Sequence, residues 1–313
     1  MLTIDSAIHS LHGIFEPHFA VQYLDSNDIT KETLKDTQAL VVRSTRKYGA
    51  ETLLGTNVKF IGTVTSGYEH IDTNFCEQNG IFWATAHGSN AKSVAEYINA
   101  ALIEISAKMQ KPPNELALGI VGVGATGGEV KKVAEKLGMK LFLCDPLKNL
   151  NDNIFDADII TLHTPLEKCG KYPTWRMAND AFFQKMKHGA WLINAARGAV
   201  CDTEALRRAL QSRHLGGAVA DVWENEPDID ASMLPLIEIA TPHIAGHSAE
   251  AKINAANMLI KAVGDFFNIE EFKKKMLEVP KNCVGKTYSI RKDDADFRRN
   301  PGKFTEIRNG YKR

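Results

Sequence analysis

At 313 residues and 34.6 kDa, the chain exceeds the usual size of one compact core, so two domains are favoured over one. Apolar residues make up 44% and charged residues 24%, close to the averages of soluble globular proteins, which excludes disordered, collagenous and coiled-coil classes. Lys plus Arg equal Asp plus Glu at 38 each, so no global field steers the protein onto nucleic acid or an anionic membrane, and partners must be recognised locally.

In chain order, short β-rich runs alternate with helical stretches from residue 1 to about 88. Ala39–Arg43, Val58–Val64 and Ile81–Thr85 read as strands, with Lys31–Asp36 and His70–Gln78 as the helical segments between them. Ser93–Met109 is one long predicted helix, because Val94, Ile98, Ala101, Leu102, Ile105 and Met109 recur at helical spacing until Lys111-Pro112-Pro113 stops it. A second α/β run follows, with strands expected at Leu116–Val121, Lys140–Cys144, Asp158–His163, Ala190–Ala195, Gly217–Val222 and Ile237–Ala240. Six apolar runs of strand length predict a largely parallel sheet buried on both faces. Helices are expected at Thr126–Leu137, Asn179–Lys187 and Thr203–Arg213, but Pro146–Ala157 is so short that its crossover helix must be reduced or absent. Ala249–Phe267 is a further predicted helix, long enough to return to the first domain. Beyond Val284 the tail carries nine Lys or Arg against four Asp or Glu and reads as a solvated or partner-covering extension.

The five cysteines, Cys76, Cys144, Cys169, Cys201 and Cys283, are scattered singly, which suggests neither a disulfide framework nor a zinc cluster. No uninterrupted run of about 18 apolar residues occurs, and Met1–Ser6 lacks a basic start before an apolar run. The expectation is a cytoplasmic protein without a membrane segment, and no His spacing suggests a metal site.

Two groups of residues carry chemistry. The strand ending at Val121 runs into Gly122-Val-Gly124-Ala-Thr-Gly127 and then a helix: Gly122 permits the sharp turn, Gly124 removes a side chain from the path of a pyrophosphate, and Gly127 allows close helix packing. The helix N-terminus then favours anionic oxygens. The next strand ends in Asp145, whose carboxylate can accept hydrogen bonds from ribose hydroxyls and would repel a 2′-phosphate, so NAD is expected over NADP; nearby Lys148 argues the other way. Arg197, Glu226 and His243 follow the fourth, fifth and sixth strands of this run, and ligands of open parallel sheets bind at those strand ends. An arginine can grip a carboxylate bidentately, a histidine can take a hydroxyl proton, and a glutamate can fix the imidazole tautomer. A methyltransferase and a non-catalytic NAD-sensing protein remain open on the glycine turn alone.

The strings Val41–Ser44, Gly62–Thr65 with His70–Asp72, Gly122–Gly127, His163–Leu166, Asn194–Gly198, Asp221–Pro227 and Thr241–Gly246 resemble the D-isomer-specific 2-hydroxyacid dehydrogenases. The resemblance implies an α/β architecture: a Rossmann-type doubly wound parallel sheet with a second, flavodoxin-like α/β substrate domain. It implies a substrate domain over residues 1–90 completed by the return helix near 249–268, an NAD domain over 91–248, and an abbreviated dimerisation-type tail over 269–313. By the same resemblance Arg197 binds the substrate carboxylate, Glu226 pairs with His243, and His243 is the acid/base. Asp145, Thr164, Asp221 and Gly246 would line the NAD site with the three glycines, while Ser44, Thr65 and His247 would touch substrate. Within the family the strings are most similar to the branch that oxidises 4-phospho-D-erythronate, which implies a small phosphorylated 2-hydroxy acid as substrate and a homodimer; phosphoglycerate or another D-2-hydroxy acid is the alternative. Arg43, Arg46 and Lys47 form a basic cluster that could receive the phosphate. His247 stands where the resemblance leads one to expect Tyr.

Overall fold

A computed structural model describes residues 1–279 and 288–311, so the part of the tail between them and Cys283 lie outside the described residues. The chain divides into two compact units, crossing between them at Asn90/Ala91, at Ser248/Ala249 and once more between residues 279 and 288.

The first unit opens with five strands, β1 (Leu2–Asp5), β2 (Val21–Leu24), β3 (Ala39–Val42), β4 (Phe60–Thr63) and β5 (Phe82–Thr85). Short helices α1 (Ala50–Leu53) and α2 (Thr73–Gln78) lie between β3, β4 and β5. All pairings are parallel in the order β2-β1-β3-β4-β5, the flavodoxin-like arrangement. Three of these strands were expected; β1 and β2 are additional. Both are four-residue runs, and the side chains of β2, on the sheet edge, are all half-buried, so neither makes a long apolar signal. Lys31–Asp36 forms turns rather than the expected helix: Leu34 is its only large apolar residue, too little burial to offset the cost of nucleation.

The second unit begins with α3 (Ala91–Met109) and continues through β6 (Ala117–Val121), α4 (Ala125–Lys136), β7 (Lys140–Asp145), β8 (Leu150–Asn151), β9 (Ile159–Leu162), α5 (Asp180–Lys185), β10 (Trp191–Asn194), α6 (Thr203–Gln211), β11 (Gly217–Ala220) and β12 (Ile239–Ala240). Its sheet runs β12-β11-β10-β9-β6-β7-β8. The strand order reverses between β6 and β9, the switch point at which such sheets bind ligands. Alternation along the strands covers both faces. Leu118, Ile120, Ile159, Ile193 and Val219 pack with α3 and α4, whereas Val121, Ile160, Leu162, Leu192 and Ala218 pack with Phe182 and Phe183 of α5 and Ala205 and Leu206 of α6. As expected, the β7–β9 crossover has no α-helix. Instead the chain makes a 3-10 turn at Pro146–Lys148, turns at Asn149 (φ 56°), and returns as β8, an antiparallel edge strand.

The chain then returns to the first unit as α7 (Ala249–Phe267), whose Ala255, Ala256, Leu259, Ile260 and Val263 pack against Leu2, Ile4, Val41 and Phe60. The short helix α8 (Glu270–Lys274) adds Phe272 to the same cluster. The final helices, α9 (Ile290–Arg299) and α10 (Phe304–Gly310), belong to the second unit, where Ile290, Phe297 and Phe304 are buried in its two clusters. Of the tail beyond Val284, the described residues 288–311 belong wholly to the second unit and bury Ile290, Phe297 and Phe304 there, so this part is not a merely solvated extension. No helix among the described residues is long and apolar enough to cross a membrane.

Candidate active site

The glycine turn is a place where two backbones touch. Gly122 has φ +84°, and a Cβ on Gly127 would lie 2.0 Å from the Gly122 carbonyl oxygen, so any side chain at 127 would drive α4 off the strand. Gly124, the residue before α4, meets nothing within 4 Å. Asp145 ends β7 and accepts from the Val123 amide (2.9 Å) and the Leu147 amide (3.2 Å), while Lys148 Nζ donates to the Val123 carbonyl (2.6 Å). The acid and the base therefore grip the same loop residue, one by its N–H and the other by its carbonyl, and the one cation that argued for a 2′-phosphate is engaged by the loop itself.

His163 and Thr164 stand at the end of β9, on the other side of the switch point. Thr164 Oγ1 and His163 Nδ1 are both buried with no hydrogen-bond partner among the described residues, a costly state for polar atoms. The other ring nitrogen of His163 meets Thr161 Oγ1 at 3.0 Å, and burial pushes its pKa down to about 3, which keeps the ring neutral. An open lip at Gly124, a carboxylate at the end of β7 and an unsatisfied hydroxyl at Thr164 suit a dinucleotide with a phosphate bridge and free ribose hydroxyls.

Glu226 and His243 meet directly: Glu226 Oε2 lies 2.7 Å from His243 Nδ1, and Glu226 Oε1 accepts from the Trp223 amide at 2.8 Å. Burial by itself would raise the Glu226 pKa. The hydrogen bond and charge of His243, the Trp223 amide and the charge of Arg308 outweigh it and hold the carboxyl below its ordinary value, so it stays ionised. His243 occupies the left-handed region at φ +57°, a conformation that costs a non-glycine residue free energy unless its surroundings enforce it.

Asp221 does the enforcing. Only 1% exposed, it accepts through Oδ1 from Thr241 Oγ1 (2.7 Å) and the Ile244 amide (2.8 Å) and through Oδ2 from the Ala245 amide (3.0 Å), and its carbonyl takes the His243 amide (2.7 Å). Burial raises its pKa, against the lowering effects of His243 and these bonds. Tyr97 of α3 extends the network by pairing its hydroxyl with Thr241 Oγ1 at 2.8 Å. The residue expected to line the cofactor thus has both oxygens committed to the turn that presents His243.

Arg197 leaves the neighbouring strand end. Asn194 braces its turn, donating to the Arg197 carbonyl (3.1 Å) and accepting from the Ala196 amide (3.1 Å), and Arg197 Nη1 donates to the Ala196 carbonyl (2.8 Å). A Cβ on Gly198 would fall 1.9 Å from the Trp223 carbonyl oxygen, so the Arg197 turn lies directly against the segment that carries Glu226. Gly246 and His247 complete the turn after His243, with the His247 amide donating to the Ile244 carbonyl at 2.8 Å.

In the first unit, Ser44 is exposed just beyond β3. Thr65 spends its hydroxyl within its own loop, on Gly67 O (2.8 Å) and Thr63 Oγ1 (2.8 Å). Of the basic cluster, Arg43 forms an ion pair with the fully buried Asp5 (3.0 Å) and so serves the core, and Arg46 donates to the carbonyls of Ser26 and Asn27. The contributions of Asp221, Thr241, Tyr97, Asn194 and Trp223 were not foreseen. Tyr97 lies 144 residues from Thr241, so no local pattern joins them.

Comparison with known proteins gives a consistent placement. Residues 89–245 match the model of the D-isomer specific 2-hydroxyacid dehydrogenase, NAD binding domain. The erythronate-4-phosphate dehydrogenase of Bacteroides fragilis is 40% identical, over 93% of this chain and 89% of that protein. That of Pseudomonas putida is 32% identical, over 96% and 86%. Among solved structures, D-lactate dehydrogenase from Aquifex aeolicus, complexed with NAD and lactic acid, superposes with a TM-score of 0.71 at 25% identity, over 92% of this chain and all of that one. With the glycine turn and the Glu226–His243 pair in place, the chain belongs to the D-isomer specific 2-hydroxyacid dehydrogenase family and is an NAD-dependent dehydrogenase.

Proposed function

We propose that the protein oxidises 4-phospho-D-erythronate at C2, giving 3-hydroxy-2-oxo-4-phosphooxybutanoate, a step of pyridoxal phosphate synthesis. The observation that carries the chemistry is the 2.7 Å contact of Glu226 with His243 Nδ1; the choice of acid follows the named relatives. With Nδ1–H directed at Glu226, the neutral imidazole keeps its lone pair on Nε2, and that atom takes the C2 hydroxyl proton. Ionised Glu226 stabilises the imidazolium that forms. Arg197 holds the substrate carboxylate through its planar fork. NAD, when bound, accepts the hydride from C2. Gly122, Gly124, Gly127, Asp145, Thr164 and Gly246 are assigned to the cofactor with Asp221 behind them, and Ser44, Thr65 and His247 to the substrate. A cytoplasmic homodimer is the proposed state, the location inferred from the unpaired cysteines.

The test is NADH formation by purified protein with 4-phospho-D-erythronate, 3-phosphoglycerate and D-lactate under identical conditions. The expected result is a kcat/KM for phosphoerythronate at least tenfold above either rival. A preference for another of the acids overturns the substrate, and turnover that survives His243→Ala overturns the acid/base assignment.

A further inference from the structure

Helix α9 does more than fill space against the second unit. Its Asp294, 8% exposed, accepts from the Ala240 amide at 2.7 Å and from Arg298 Nε at 2.7 Å. Arg298 then spends its remaining nitrogens on the carbonyls of Leu234 (2.5 Å) and Ile237 (2.6 Å), the residues leading into β12. One turn earlier, Arg291 bridges Glu104 of α3 (2.7 Å) and Glu238 (2.9 Å). Phe297, fully buried, faces Trp223 with ring centroids 6.1 Å apart, and Trp223 in turn donates its indole N–H to the Thr241 carbonyl (2.9 Å). Apart from the Arg291–Glu104 pair to α3, these contacts converge on residues 234–241, directly or through Arg298 and Trp223.

That segment needs the support. β12 is two residues long, lies at the sheet edge, and has β11 as its single strand neighbour, so its outer backbone groups have no ladder partner. His243 follows three residues later in a left-handed conformation that only over-determined surroundings maintain. A short strand free on one side would let the turn relax and carry the imidazole away from Glu226.

We infer that α9 is a positioning clasp for the proton-accepting histidine: Asp294 and Arg298 fix the edge strand β12, and through it the turn that sets His243 Nδ1 against Glu226. The hydrogen bonds of Asp294 and Arg298 go to each other and to the main chain of Leu234, Ile237 and Ala240, so they act through main chain. The inference rests on the proposed role of His243. A clasp of this kind distinguishes the chemical step from cofactor binding, because the glycine turn follows β6, separated from β12 by three strands of the sheet, and shares none of these bonds.

The experiment compares full-length wild type with Asp294→Ala, Asp294→Asn, Arg298→Gln and His243→Ala, measuring kcat, KM and the Kd for NADH by fluorescence. Asp294→Ala is expected to lower kcat at least tenfold with the NADH Kd within twofold of wild type. Asp294→Asn keeps an acceptor for the Ala240 amide and should recover kcat to within about threefold. Arg298→Gln leaves the Ala240 bond and should lose about threefold, which decides the matter if Asp294→Ala does not fold. Unchanged kcat in the folded variants overturns the clasp, as does a parallel loss of kcat and NADH affinity. If His243→Ala turns over like wild type, the proton-transfer assignment itself fails; if it is inactive while Asp294→Ala matches wild type, the clasp alone fails.

Discussion

His243 carries a strained backbone, a charged partner and, in the proposed reaction, the proton-accepting nitrogen, and each depends on a different neighbour. Asp221 holds the backbone, Glu226 the Nδ1, and the Trp223 amide holds Glu226. Replacing Glu226 with Gln removes the negative charge that stabilises the imidazolium while leaving the shape, so kcat is expected to fall about 100-fold or more with little change in NADH affinity. The same pair affects stability. Glu226 has a folded-state pKa below its ordinary 4.5, so its stabilising contribution is present above that pH and is lost as pH falls through the folded value. In urea denaturation the stability gap between wild type and Glu226→Gln should therefore narrow as pH is lowered below 4.5; a gap that widens there contradicts the ionised pair. Arg197, Glu226 and His243 were legible as residue types at strand ends, but Asp221 was read as a cofactor neighbour because its sequence position cannot reveal that both its oxygens fold back onto the next loop.

At the scale of elements, the β6–α4 unit separates two kinds of glycine. Gly127→Ala inserts a methyl 2.0 Å from the Gly122 carbonyl and should destabilise the protein by about 1–3 kcal/mol while weakening NADH binding. Gly124→Val meets open space, so the melting temperature should stay near wild type while the NADH Kd rises at least tenfold, because its bulk occupies only the cofactor's path. Thermal melts with and without NADH check both; a Gly124→Val protein that binds normally removes the turn from the cofactor site. Elements with long periodic signals, such as α3 and α7, were readable, since one apolar stripe decides them. β2, β8 and β12 were unread or blurred at their ends. Strands of two to four residues exist because a neighbour offers a ladder, and for β2 and β12 that neighbour lies about twenty residues away, whereas β8 folds straight back on β7.

For the whole molecule, each unit owns separate hydrophobic clusters: Leu2, Val41, Phe60 and Phe272 in one, Leu118, Ile120, Phe183 and Leu192 in the other. Two calorimetric transitions are expected, and NADH at one hundred times its Kd should add about 2.7 kcal/mol to the transition of the second unit alone. Equal upward shifts of both would contradict cofactor binding confined to the second unit. The balanced charge gives no steering, consistent with recognition by local groups.

Composition, periodicity and a handful of strings determined the α/β class, the glycine turn and the choice of the proposed trio, because these are properties of consecutive residues and of their spacing. Only the folded chain decided that Arg43 belongs to the core through Asp5, that Lys148 holds Val123, that Asp221 shapes the His243 turn, and that the basic tail comes home to brace β12. The physical reason is the same in each case: a buried charge or unpaired amide takes whatever partner the fold brings within hydrogen-bonding distance, and for Asp294 and Ala240 that partner is 54 residues away.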